Sequence, residues 1–184
     1  MRILGIAGSL RHGSYNRALL REAELLAPRG VEVEQFDLRY LPLFDADVEA
    51  AGDPPEVREL KEAIRGADAL LIATPEYNRG TSGVLKNAID WASRPPFGSP
   101  LTGKAVAIMG AGGRNGTARA QAQVRDALAF PRAKVLEEHV LVPLAWEHFD
   151  EQGHPDDEVR ERVRGLVEAL AAAVQEPQRE PVAA

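Results

Sequence analysis

Arg2-Ile3-Leu4-Gly5-Ile6-Ala7-Gly8-Ser9-Leu10-Arg11-His12-Gly13-Ser14-Tyr15-Asn16 opens the chain and decides how the rest is read. A short apolar run ends at Gly8. A loop of small and polar residues with one Arg follows, and an apolar-periodic segment begins at Ala18-Leu19-Leu20. The pattern is strand, loop, helix. Apolar residues on both faces of 2–8 suit a central parallel strand covered by helices on either side. A loop of this composition at a helix N-terminus can present amides, hydroxyls and a guanidinium to one anion, most often a phosphate. The alternative is a plain strand–helix turn with Ser14 as N-cap.

Working outward, Val31 to Leu38 alternates apolar and polar residues and predicts a strand nearer the sheet edge, after a first helix over 15–27 ended by Pro28-Arg29-Gly30. Pro42 to Pro55 is expected to be a long irregular connection. A helix over 55–65 leads to a third strand at 67–74, and the loop 75–81 leads to a helix over 82–93. After the turn-rich Arg94–Pro100 connection, a fourth strand over 104–109 enters the glycine-dense loop 110–116. A helix over 117–130, a fifth strand over 134–142, an irregular stretch over 145–153 and an amphipathic helix over 156–174 complete the chain. The alternation predicts one α/β domain over 1–176, followed by a disordered tail over 177–184. Five strands make a doubly wound parallel sheet of order 2-1-3-4-5, the flavodoxin-like arrangement. A six-stranded dinucleotide fold would need another strand and helix.

Bulk properties narrow the function. The chain has 184 residues with a formal net charge of −6, which argues against a general nucleic-acid binder. It has no cysteine, which removes thiol catalysis, Cys-ligated metals and iron–sulfur clusters. The apolar runs fall short of the ~18–20 residues that span a bilayer. The chain opens directly on a strand, with no signal-like segment, so a cytoplasmic location is expected.

In an open parallel sheet, ligands bind outside the carboxyl ends of the strands at the switch point, here between strands 1 and 3. The loops 9–16, 75–81 and 110–116 should therefore converge. In the first, Gly8 and Gly13 have Walker A spacing, but Ser14-Tyr15 replaces the required Lys-Ser or Lys-Thr. Gly5 and Gly8 are three apart, so the dinucleotide fingerprint is absent as well. Ser9, Arg11, Ser14 and Asn16 remain, a set that fits a terminal phosphate monoester. In the second loop, Tyr77 can stack on a planar heterocycle, Asn78 can hydrogen-bond, Pro75 stiffens the turn, and Glu76 can pair with a nearby Arg. A capped turn ahead of the next helix explains these four residues equally well. The glycines of the third loop allow close backbone approach to a ligand, or simply form a tight turn.

The combination is specific. Gly8-Ser9-Leu10-Arg11-x-Gly13-Ser14-x-Asn16 resembles the phosphate loop of the NADPH-dependent FMN reductase family. Thr74-Pro75-Glu76-Tyr77-Asn78, followed by Gly83-Val84-Leu85-Lys86-Asn87-Ala88-Ile89-Asp90-Trp91, is similar to that family's second signature. Leu41-Pro42-Leu43-Phe44-Asp45-Ala46-Asp47 resembles its loop after strand 2. The resemblance covers roughly residues 2–130. It implies a flavodoxin-like fold, non-covalent FMN, and reduction of flavins, quinones, azo compounds or metal oxyanions with NADPH or NADH. It also implies a homodimer or homotetramer. By the same resemblance, Ser9, Arg11, Ser14 and Asn16 match the phosphate binders, with Leu10 contributing backbone. Pro75, Glu76, Tyr77 and Asn78 match the isoalloxazine loop. Gly110 and Ala111 fall where the family often has a Ser beside the flavin, which leaves that contact to backbone groups.

Redox chemistry of this kind belongs to the cofactor, so no general acid or base is expected. His12, His139, His148 and His154 read as exposed or structural, without partners at diagnostic spacing. Trp91 and Trp146 read as core or interface aromatics, and the oligomer that the resemblance implies points to Trp146 and Phe149 as a partner surface. Arg79 and Arg114 flank the expected cleft, within reach of a 2′-phosphate. Two alternatives stand beside the reductase: a flavodoxin-type electron carrier and a phosphate-binding module without redox activity. The carrier usually has a Thr-rich phosphate loop, whereas this loop has Arg and no Thr.

Overall fold

A computed structural model describes residues 1–95 and 98–175. The predicted tail and part of the Arg94–Pro100 connection lie outside the described residues. The elements in order are β1 (Arg2–Ala7), α1 (Tyr15–Leu26), β2 (Glu32–Phe36), α2 (Ala46–Ala51), α3 (Pro55–Gly66), β3 (Ala69–Ala73), α4 (Gly83–Ala92), β4 (Ala105–Ala111), α5 (Ala118–Ala129), β5 (Lys134–Val142), α6 (Ala145–His148) and α7 (Asp157–Gln175). The strands form one sheet in the order β2-β1-β3-β4-β5, every pair parallel, as the sequence predicts.

Strand alternation divides the core into two layers. Ile3, Leu71 and Met109 point toward α1 and α7, where they meet Leu19, Leu20, Val163 and Val167. Leu4, Ile6, Leu70, Ile72 and Ile108 point the other way, toward Leu60, Ile64, Leu85 and Val124 of α3, α4 and α5. β3 is buried along its whole length, which explains its unbroken apolar run. β2 buries Val33 between exposed Glu32 and Glu34, as suits an edge strand.

Three expectations are corrected. The Pro42–Pro55 connection contains α2, whose N-terminus is capped by Asp45 Oδ1 accepting from Asp47 N at 2.8 Å. All six residues of α2 lie outside the core, so no apolar period announced it. This segment is also tied down. Asn87 Nδ2 and Trp91 Nε1 both donate to Pro42 O, at 2.8 and 2.9 Å, and Phe44 packs edge-on against Trp91. Trp91 is thus a core residue. The stretch after β5, expected to be irregular, begins with the helical turn α6 behind Leu144, which holds a left-handed φ of 45°. Phe149 is buried against Tyr15, with ring centroids 4.7 Å apart, so it offers no partner surface, whereas Trp146 stays exposed. No helix among the described residues is long and apolar enough to cross a membrane.

Candidate active site

The loops after β1, β3 and β4 meet at the carboxyl ends of the strands. Gly8 N donates to Ala73 O, Thr74 N to Met109 O and Gly112 N to Val142 O, each at 2.9–3.0 Å, extending the sheet pairing into the loops. A Cβ on Gly8 would stand 2.9 Å from Pro75 Cδ and 3.0 Å from Ser82 Oγ, so only glycine lets the first two loops pack this closely.

The first loop carries unused hydrogen-bonding capacity. Ser14 is the N-cap of α1, but its side chain makes no cap hydrogen bond, and only 3% of the residue is exposed. Ser9 is equally buried, and its hydroxyl has only Tyr77 Oη, at 3.4 Å, as partner. No acceptor among the described residues takes the amides of Ser9, Leu10, Arg11, His12 or Gly13. The hydroxyls line the cleft and the amides border it, so both are free to donate to a ligand that supplies acceptors. A phosphate does so, and Arg11, exposed at the mouth with its guanidinium 5.9 Å from the Tyr15 ring, adds charge. Leu10 does not line the cleft; its carbonyl accepts from Arg39 Nη2 at 2.9 Å.

Asn16 is placed at the site but occupied by the protein. Its Nδ2 donates to Ala111 O and its Oδ1 accepts from Ala111 N, both at 3.0 Å. The pair is buried and joins the first loop to the third. Ala111 therefore meets Asn16 with both of its backbone polar groups.

In the second loop, Tyr77 and Gly80 exchange both backbone hydrogen bonds across a two-residue turn. Asn78 and Arg79 hold φ of 51° and 65°, the left-handed pair that a type I′ turn requires. Asn78 stands exposed on that turn, off the cleft wall. Among the described residues, Glu76 pairs with no Arg side chain. Its Oε2 accepts instead from the backbone amides of Arg119 and Ala120, at 3.0 and 3.2 Å, in the first turn of α5. In the third loop, Gly113 and Gly116 close a second two-residue turn with Arg114 and Asn115 at its tip. Gly110 lies behind the wall: a Cβ there would stand 2.1 Å from Thr117 Oγ1.

Together the loops enclose a cleft of about 350 Å³. Eight of the predicted residues line it: Ser9, Arg11, Ser14, Asn16, Pro75, Glu76, Tyr77 and Ala111. Leu10, Asn78 and Gly110 do not. Tyr15 and Gly112 line it without having been singled out; both directly follow residues or loops that were. A larger groove of about 580 Å³ runs along β2, but Glu24, Glu32 and Glu34 line it, so it repels anions.

His12 stands exposed on the first loop without lining the cleft, and the other three histidines lie elsewhere. His148 Nδ1 is 2.8 Å from Asp156 Oδ2 and His154 Nδ1 is 3.3 Å from Asp150 Oδ2, so two of them do have carboxylate partners. Both pairs brace the α6–α7 connection. The backbone amide of Val159 holds the Asp156 carboxyl below the usual carboxylate range, with His148 adding to the effect. The amide of His154 does the same for Asp150. Burial pushes the Lys104 ammonium down while its Nζ donates to Ala67 O.

Sheet order, switch-point cleft and uncapped serine loop define a class: a flavodoxin-like α/β protein with a site for a mononucleotide. Residues 1–147 match the model of the NADPH-dependent FMN reductase family, and the chain belongs to that family. It is similar to the NAD(P)H-dependent FMN reductase PA1204 of Pseudomonas aeruginosa, 51% identical over 173 residues, covering 92% of this chain and 93% of that one. It is also similar to the NAD(P)H:quinone oxidoreductase of Solanum tuberosum, 38% identical over 180 residues, covering 94% and 92%. Among solved structures, the flavoenzyme NAD(P)H:(acceptor) oxidoreductase FerB of Paracoccus denitrificans superposes with a TM-score of 0.85 at 31% identity, covering 95% of this chain and 97% of FerB. The chain is thus an FMN-dependent NAD(P)H oxidoreductase acting on small molecules, and the electron-carrier reading is not favoured.

Proposed function

We propose that the three-loop cleft binds FMN by its phosphate and that the chain passes reducing equivalents from NADPH or NADH to a quinone. The observation that carries this reading is the pair of serines on the cleft wall: Ser14 makes no side-chain cap bond, and the Ser9 hydroxyl has only the long 3.4 Å contact to Tyr77 Oη. With Arg11 and the amides of 9–13 they hold the phosphate at the N-terminus of α1. Pro75, Glu76 and Tyr77 form one wall for the ring system, and Ala111 and Gly112 the other. FMN, when bound, supplies the hydride acceptor and the electron donor of the reaction. The residues bind it, orient it and keep one ring edge out of water. Tyr77, 53% exposed, is available to stack on an incoming aromatic acceptor.

The quinone assignment draws on relatives named for quinone reduction, among them the 2-hydroxy-1,4-benzoquinone reductase of a Burkholderia species. Arg79 and Arg114 stand exposed at the tips of the two turns, where the 2′-phosphate of NADPH would find cationic partners. The protein works in the cytoplasm as a homodimer or homotetramer, with the exposed Trp146 at an interface. Sedimentation as a monomer would contradict that last point.

The test is steady-state consumption of NADPH and NADH by FMN-loaded protein, with and without 1,4-benzoquinone. Quinone-dependent oxidation that falls with Arg11→Ala at low FMN, and recovers at saturating FMN, supports the reading. A protein that takes up no FMN overturns it.

A further inference from the structure

We propose that Glu76 is a positioning residue that caps helix α5 from across the cleft and thereby locks the second and third loops into one unit. The inference rests on the FMN reading above and assigns how that site is held in shape. α5 lacks a cap of its own. Thr117 occupies the N-cap position without a side-chain cap bond, and the first turn contains no acidic residue. Thr117 cannot serve, because it is fully buried, its Oγ1 accepts from Gln121 Nε2 at 3.1 Å, and its side chain fills the space beside Gly110. The free amides at the start of α5 are met instead by Glu76 Oε2, which takes those of Arg119 and Ala120 at once. The carboxylate also opposes the positive end of the helix dipole.

A second bond fixes the far end of the same loop. Gln123 Oε1 accepts from Thr81 N at 3.0 Å, one turn further along α5. Glu76 and Thr81 bracket the Tyr77–Gly80 turn, so α5 holds that turn at both ends. Glu76 borders the cleft by position while its carboxylate faces α5. Its effect on a bound ring is therefore exerted through the placement of Pro75 and Tyr77.

The test compares Glu76→Ala, Glu76→Gln and Asp45→Ala, the last removing the cap of α2, none of whose residues lines the cleft. Hydrogen exchange on the cofactor-free protein is read at the amides of Arg119, Ala120, Tyr77 and Gly80, and FMN affinity by fluorescence titration. In Glu76→Ala, all four amides are expected to exchange about 10-fold faster, and FMN to bind about 10-fold more weakly, the scale of one lost cap. Glu76→Gln, which keeps a neutral acceptor, recovers most of both, and Asp45→Ala changes neither. Faster exchange confined to Arg119 and Ala120 would overturn the proposal by showing a local cap alone. FMN affinity within twofold of wild type in Glu76→Ala would also overturn it, as would equal weakening by Asp45→Ala. Failure of the wild-type protein to bind FMN would instead defeat the functional reading, and the exchange data would still decide the coupling.

Discussion

Asn16→Ala should destabilise the protein by about 3 kcal/mol. The wild-type side chain makes two hydrogen bonds of 3.0 Å to the backbone of Ala111, in a site where Asn16 is 4% and Ala111 3% exposed. Each bond contributes about 1 kcal/mol net, and the larger effect comes from stranding the Ala111 N–H and C=O, at about 1–3 kcal/mol for each buried group. With a urea m-value of about 2 kcal/mol/M for a domain of this size, the unfolding midpoint should fall by about 1.5 M. Asn16→Asp supplies a sharper check. At neutral pH its carboxylate still accepts from Ala111 N but turns a second negative oxygen on Ala111 O. Protonation restores a donor, so the folded state raises the carboxyl pKa above the unfolded value of about 3.9. A group with a raised folded pKa stabilises below its unfolded pKa and loses that stabilisation as pH rises through the folded one. Asn16→Asp should therefore approach wild-type stability toward pH 4 and lose about 1.4 kcal/mol per unit of pKa shift by pH 7. Equilibrium urea unfolding at pH 4.5, 5.5 and 7 measures both. A midpoint shift under 0.5 M for Asn16→Ala (about 1 kcal/mol), or a pH-independent deficit for Asn16→Asp, would refute the strut.

Gly110→Ala should cost about 3 kcal/mol or more, because the added methyl meets both Thr117 Oγ1 and the backbone oxygen of Thr74, at 2.1 and 2.5 Å, and the latter has nowhere to go. Thermal unfolding will show it, and a variant as stable as wild type would remove the reason for glycine there. Arg79→Gly should stabilise by about 0.5–1 kcal/mol, since the residue holds φ of 65° at a penalty that glycine avoids. Calorimetry should record a Tm higher by about 2 °C, and a lower Tm would mean that the Arg side chain itself supports the turn. Asp156 caps α7, with Oδ1 accepting from Val159 N at 2.9 Å, and its carboxyl is held below the ordinary range. A depressed folded pKa gives stability that is present above the unfolded pKa, about 3.9, and lost as pH falls below it. Asp156→Asn should flatten that acid limb, which stability curves between pH 2.5 and 5 would reveal; an unchanged limb would assign it to other carboxylates.

The sheet was legible because its three interior strands, β1, β3 and β4, are apolar on both faces and its edge strand β2 alternates, and those patterns are local. The three loops were legible for the same reason, each being short, polar and placed directly after a strand. What each side chain does there was less legible. Asn16 meets a partner 95 positions away and Glu76 partners 43 and 44 positions away, so composition could nominate them for the site but not separate strut from ligand group. Serine 14 shows the converse: its type suited a cap, and only the geometry leaves its hydroxyl free. Helix α2 escaped notice because a six-residue helix outside the core needs no apolar stripe. The His148–Asp156 and His154–Asp150 pairs form across a turn whose shape depends on Phe149 packing onto Tyr15.

The central claim is that the cleft recognises FMN by its phosphate. Fluorescence titration of the cofactor-free protein with FMN and with riboflavin tests it most directly. Removing the phosphate forfeits the charge-assisted bonds to Arg11 and the bonds to Ser9, Ser14 and the loop amides. At about 1.5–3 kcal/mol for each bond to a charged group, two of them suffice for a 100-fold difference. The account predicts quenching by FMN at low concentration and at least about 100-fold weaker binding of riboflavin. Equal affinity for the two, or no quenching by FMN, would contradict it.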